Sequence, residues 1–108
     1  MTKVLVNSGI CGFAVTVGAE LDNEKKVHIS LDTECQMVKK MLEEISALDM
    51  RAAFTGFLQN PVYKSAAMHI RHVACPVPSG ILKAIEVEFG VCIPKSVSMD
   101  FIREEGQA

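Results

Sequence analysis

Apolar residues recur at every second position in two stretches, Phe13, Val15, Val17, Ala19 and then Val27, Ile29, Leu31, whereas from Thr33 onward they recur at every third or fourth. This change of period constrains the fold more than any other feature. A strand presents alternate side chains to one face, while a helix brings them round about every 3.6 residues. Residues 3–7 alternate briefly as well, and the segment 8–12, with Gly9 and Gly12, reads as the turn joining a first strand to a second. The polar run Asp22-Asn23-Glu24-Lys25 supplies the next turn, so the first third of the chain reads as a three-stranded antiparallel meander.

Val38, Met41, Leu42, Ile45 and Leu48 form one stripe, with Lys39, Lys40, Glu43 and Glu44 opposite, which predicts a long amphipathic helix capped by Asp32. A short helix is expected somewhere within residues 50–59. Asn60-Pro61 opens another, since asparagine accepts from a free N–H of the first turn and proline lacks the N–H that this position leaves unpaired. Val62, Ala66, Ile70 and Val73 should point inward from it. Cys75-Pro76-Val77-Pro78 interrupts, and a last helix carries Ile81, Leu82, Ile85 and Phe89 to a stop at Gly90. Val97, Met99 and Phe101 alternate with Ser98, Asp100 and Ile102, which predicts a final strand pairing with the first or the third. The expected class is α+β: an antiparallel or mixed four-stranded sheet, in the order β-β-β-α-α-α-β, with helices on one face.

The chain has 108 residues, enough for one domain spanning residues 1–108, and 49% of them are hydrophobic, which suits a packed core. Eleven Lys and Arg against thirteen Asp and Glu leave a net charge of −2, with no basic stripe to neutralise successive phosphates, so nucleic acid is not an expected partner. No stretch approaches the roughly 20 apolar residues of a membrane-spanning helix, and residues 1–6 do not read as an export signal. The expectation is a cytoplasmic protein whose four cysteines are thiols, ligands or nucleophiles rather than disulfides.

Three cysteines fall where chemistry is easiest to place. Cys11 sits in a glycine-flanked turn, Cys35 at the start of the predicted long helix, and Cys75 in a proline-stiffened loop before the last helix. If these element ends converge, three thiolates suit zinc or an iron–sulfur cluster, with His72, three residues before Cys75, as fourth ligand or as a base. Each also has an ordinary explanation, because free cysteine packs as a small hydrophobe and a histidine beside Arg71 suits a helix surface. The spacings match no zinc-finger or ferredoxin pattern. Cys92, in an apolar run, reads as packing, and His28 as facing solvent. Met41 and Met99 are expected in the core, and Glu43, Glu44, Glu86 and Glu88 on solvated helix faces. No phosphate loop, dinucleotide-binding glycine motif or nucleophile-elbow motif is present.

Ser8-Gly9-Ile10-Cys11-Gly12-Phe13, the helix-leading Cys35, and the run from Ala74 through Cys75-Pro76-Val77-Pro78-Ser79-Gly80 to Glu86 resemble a small family without an assigned activity, found mainly in anaerobic bacteria and methanogenic archaea. The resemblance spans nearly the whole chain. It implies a compact domain of α and β elements with cysteines in its motifs, and an anaerobic host in which labile metal or thiol chemistry is favoured over disulfides. Three functions follow as expectations: a metal- or cluster-binding domain using Cys11, Cys35, Cys75 and His72; a homo-oligomeric interaction module using an exposed sheet edge or apolar surface, with buried inert cysteines and no cofactor; and a thiol-dependent redox protein or enzyme.

Overall fold

A computed structural model describes residues 1–106. The meander forms as the two-residue period requires. Strands β1 (Thr2–Asn7), β2 (Ala14–Leu21) and β3 (Lys26–Thr33) pair antiparallel in sequence order. Val15, Val17 and Ala19 of β2 and Val27, Ile29 and Leu31 of β3 are buried, whereas His28, Ser30 and Asp32 between them are exposed. The order is β1-β2-β3-β4, and all pairings are antiparallel.

The fourth strand is not at the C-terminus. It is the three-residue β4 (Ala47–Asp49), paired to Lys26, Val27 and His28, and it takes Leu48 out of the predicted long helix. That helix is cut into α1 (Gln36–Lys40) and α2 (Leu42–Ile45). At Met41 the backbone N–H bonds to the Val38 carbonyl, three residues back, which tightens the turn and ends the regular ladder. Leu48 stays buried, now opposite Val27, so one apolar side chain satisfies either period. Asp32 remains on the exposed side of β3 and caps nothing; Asp49 instead caps the short α3 (Met50–Ala53), accepting from the Ala52 N–H at 2.8 Å.

Asn60 caps α4 (Pro61–His69) as its sequence predicts, accepting from Val62 N–H at 2.9 Å. Its amide also donates to the carbonyls of Ala53 and Thr55, which ties the preceding loop to the helix. The helix ends before Ile70, so Val73 is fully exposed rather than inward. Val77 and Pro78 open α5 (Val77–Glu88), where the proline needs no N–H partner. Gly90 follows the helix at φ +76° and lets the Val91 N–H return to the Glu86 carbonyl, the hydrogen bond of a Schellman stop.

Helix α5 lies along β1 and β2, while α1 and α2 pack on β3. Gly80 sets the approach of α5: a Cβ there would stand 2.5 Å from the Val6 Cγ2. The buried residues join in one cluster that includes Met41, Ile45, Ile81 and Ile85. Beyond α5 the alternating segment 97–102 forms no strand, and Met99, expected in the core, is 81% exposed. Alternation gives a segment the form of a strand but no partner, and among the described residues it pairs with none.

Candidate functional site

The first turn, the end of β3 and the break between the last two helices all reach the same end of the sheet. Between β1 and β2 a single 3-10 turn, Gly9–Cys11, is closed by the Gly12 N–H bonding to the Gly9 carbonyl at 2.9 Å. Gly9 and Gly12 both adopt left-handed backbone, at φ +81° and +77°, which other residues resist. The turn leaves Cys11 exposed. Cys35 is the N-cap of α1 but does not cap with its thiol; its own N–H donates to the Thr33 hydroxyl at 3.1 Å, and its side chain is buried. His72 lies beyond α4 rather than on it. The Cys75 N–H bonds to the His72 carbonyl at 3.0 Å, so a four-residue turn brings the imidazole and the thiol together and sends Val73 outward.

Cys11, Cys35, Cys75 and His72 therefore line one cavity of about 70 Å³, together with Ser8 and the apolar side chains Phe13, Val15, Met37, Val38 and Ile70. Roughly 10–15 Å³ suffices for one water, so this space takes more than one water-sized ligand. Burial holds the Cys75 thiol above its ordinary pKa of 9.0, and the neighbouring Cys35 and Cys11 add to the rise; a hydrogen bond from the Val77 backbone works the other way. The helix start therefore does not prevail at Cys75. Without a cation, burial keeps the Cys75 thiol protonated, and a bound metal inverts that preference.

The thiols are not drawn into a closed shell. Among the described residues the set of three histidine, cysteine or acidic groups whose ligand atoms all lie within 4.8 Å of one another is Glu43, Glu44 and His69. Thiolates on one tetrahedral zinc, at about 2.3 Å from the metal, would stand roughly 3.8 Å apart. Cys11, Cys35, Cys75 and His72 share a cavity, but no three of them bring their ligand atoms all within 4.8 Å of one another.

The remaining candidates have other partners. His69 closes α4 and bonds Glu44 at 2.9 Å, and Ser65, fully buried, donates to the same carboxylate at 2.6 Å. Those two hydrogen bonds, Ser65 first, hold the Glu44 carboxyl below its ordinary pKa of 4.5. Glu44 is thus a joint between α2 and α4 rather than a merely solvated residue. Cys92 is exposed instead of packed, and its thiol donates to Glu86 at 2.8 Å. Glu88 accepts from the Thr2 hydroxyl at 2.7 Å and fastens the end of α5 to the start of β1. Sequence reading missed these carboxylate roles because each depends on a partner more than 20 residues away or on the exit of the chain from α5. The free cysteines are four, Cys11, Cys35, Cys75 and Cys92.

Fold and site together define a small α+β domain built on an antiparallel meander, with an apolar cavity ringed by thiols at one end of the sheet. The family model described as a family of unknown function, DUF6951, matches residues 2–101, and the chain belongs to that family. Neither the curated proteins nor the solved structures yield a match to the chain. No helix among the described residues is long and apolar enough to cross a membrane.

Proposed function

We propose that the protein is a cluster-binding domain in which Cys11, Cys35 and Cys75 supply three thiolates to an iron–sulfur centre and His72 stands at the fourth position. The observation that carries this reading is the lining of a single cavity by all four residues, drawn from three regions of the sequence. That no three of them close within 4.8 Å of one another favours a polynuclear centre over a lone zinc ion, because thiolates that bind different irons need not approach one another as closely as those on one metal. The raised pKa of Cys75 counts against a free nucleophile, since the thiolate is the attacking species, whereas a bound cation can itself stabilise the thiolate it takes as ligand. In this reading the helices cover one face of the sheet, leaving the site at its end, and the protein works in a reducing cytoplasm where its thiols persist. Its role is structural, sensing or delivery, consistent with a cavity in which His72 and Ser8 are the polar side chains beside the thiols.

The test is elemental analysis of untagged protein purified without oxygen or chelator, alongside Cys75→Ser. Iron and acid-labile sulfide near stoichiometry in wild type, lost in the variant, are expected. Zinc without sulfide would replace the cluster by a mononuclear site; metal at wild-type level in Cys75→Ser would remove this cavity as its location.

A further inference from the structure

Residues 91–106 are all exposed and contribute no helix or strand, yet Val97, Met99, Phe101 and Ile102 are 66%, 81%, 101% and 89% exposed. Four large apolar side chains in six residues are poor composition for a solvated tail. Their pattern is that of a half-buried strand: Val97, Met99 and Phe101 alternate with Ser98 and Asp100, and the last two share a side, since the Ser98 hydroxyl donates to the Asp100 carboxylate at 3.2 Å.

The sheet has a matching vacancy of pairing. Strand β1 is bonded on one side only, to β2, so half of the backbone groups of its six residues face outward along an open edge. Val4 and Val6 turn toward α5, whereas Lys3 and Leu5 are exposed on the other side, Leu5 at 63%. A strand of residues 97–102 set beside β1 would carry Val97, Met99 and Phe101 onto the face of Val4 and Val6. It would place Asp100 on the side of Lys3 and Ile102 on the side of Leu5, so both apolarity and charge agree in one alignment. The six-residue length agrees as well.

We propose that this segment adds to the β1 edge of a second copy of the chain, each copy giving its tail to the other in a two-fold dimer. A second copy is the occupant because, although Glu88 holds the end of α5 beside Thr2 at the start of β1, the chain leaves it by a fixed exit, Val91 and Cys92 N–H groups both bonding to the Glu86 carbonyl, and stays exposed instead of turning back along its own β1. From that exit residues 91–102 are exposed throughout, and the molecule measures 56 × 29 × 26 Å, elongated for its length.

Sedimentation of the full chain should give twice the 11.8 kDa monomer mass, and a chain ending at Lys95 should give the monomer with unchanged far-UV circular dichroism. Phe101→Asp, which leaves the folded body intact, should weaken dimerisation at least tenfold. Amide exchange should slow at residues 97–102 in the dimer and become fast on dilution. A full chain that is monomeric at all concentrations overturns the proposal. So does a dimer that survives truncation, or a monomer whose tail amides are protected, which would place the strand on its own β1.

Discussion

Cys75 concentrates the chemistry of the site in one side chain. It follows a turn that brings His72 to the same cavity and precedes a helix whose Val77 N–H reaches its sulfur, yet burial prevails and the thiol titrates above 9.0. In metal-free protein near neutral pH, alkylation should therefore modify exposed Cys11 well before Cys75. The Cys75 rate should keep rising through and beyond pH 9, because a raised pKa delays the thiolate. Mass spectrometry of peptides after timed iodoacetamide quenches measures both. A Cys75 that reacts first at pH 7 would instead identify an activated nucleophile and return a thiol-dependent enzyme to the front. Cys92 shows why a cysteine's neighbours in sequence are a poor guide: it lies between Val91 and Ile93 but spends its hydrogen on Glu86 in the open.

Among the elements, α5 does most to place the site, and Gly80 is the reason it can approach so closely. Adding a methyl at Gly80 improves helix propensity by about 1 kcal/mol but drives Cβ into a β-branched valine that has little freedom to yield. Overpacking of this kind costs about 1–3 kcal/mol, so Gly80→Ala should lower stability by roughly 1 kcal/mol. It should also widen the cavity, because Cys75 stands two residues before the start of α5. Denaturant unfolding reads the first effect and metal content the second, while Ser79→Ala, exposed on the same turn, should change neither. The meander, α4 and α5 were legible in the sequence because each holds one period for long enough and begins or ends at a recognisable residue, such as Asn60 or Gly90. Strand β4 was not, since three residues cannot display a period and Leu48 fits the stripe of the helix before it. The alternating residues 97–102 misled for the converse reason: periodicity describes a segment, whereas a strand is a pairing. The four site residues could be nominated from their places at element ends. Their common cavity could not, since it depends on how closely α5 approaches β1.

For the whole molecule, a ligand that binds only the folded state stabilises it by mass action. Free metal at 100 times Kd adds about 2.7 kcal/mol, which for a domain of this size raises Tm by roughly 10–20 °C. Anaerobic thermal unfolding after reconstitution with iron and sulfide should show a shift of that order in wild type and none in Cys75→Ser. The proposed ligands, however, stand at positions 11, 35 and 75, far apart along the chain, and they share a cavity only after the hairpin has closed and α5 has docked. A finger domain whose ligands are sequence neighbours can gather them around the metal while the rest is still unfolded. This chain cannot follow that order of events. During synthesis its first two thiols emerge well before the third, so the proposed centre, needing all three, would be installed only once the chain through α5 is made and folded, by whatever supplies iron and sulfide to folded proteins.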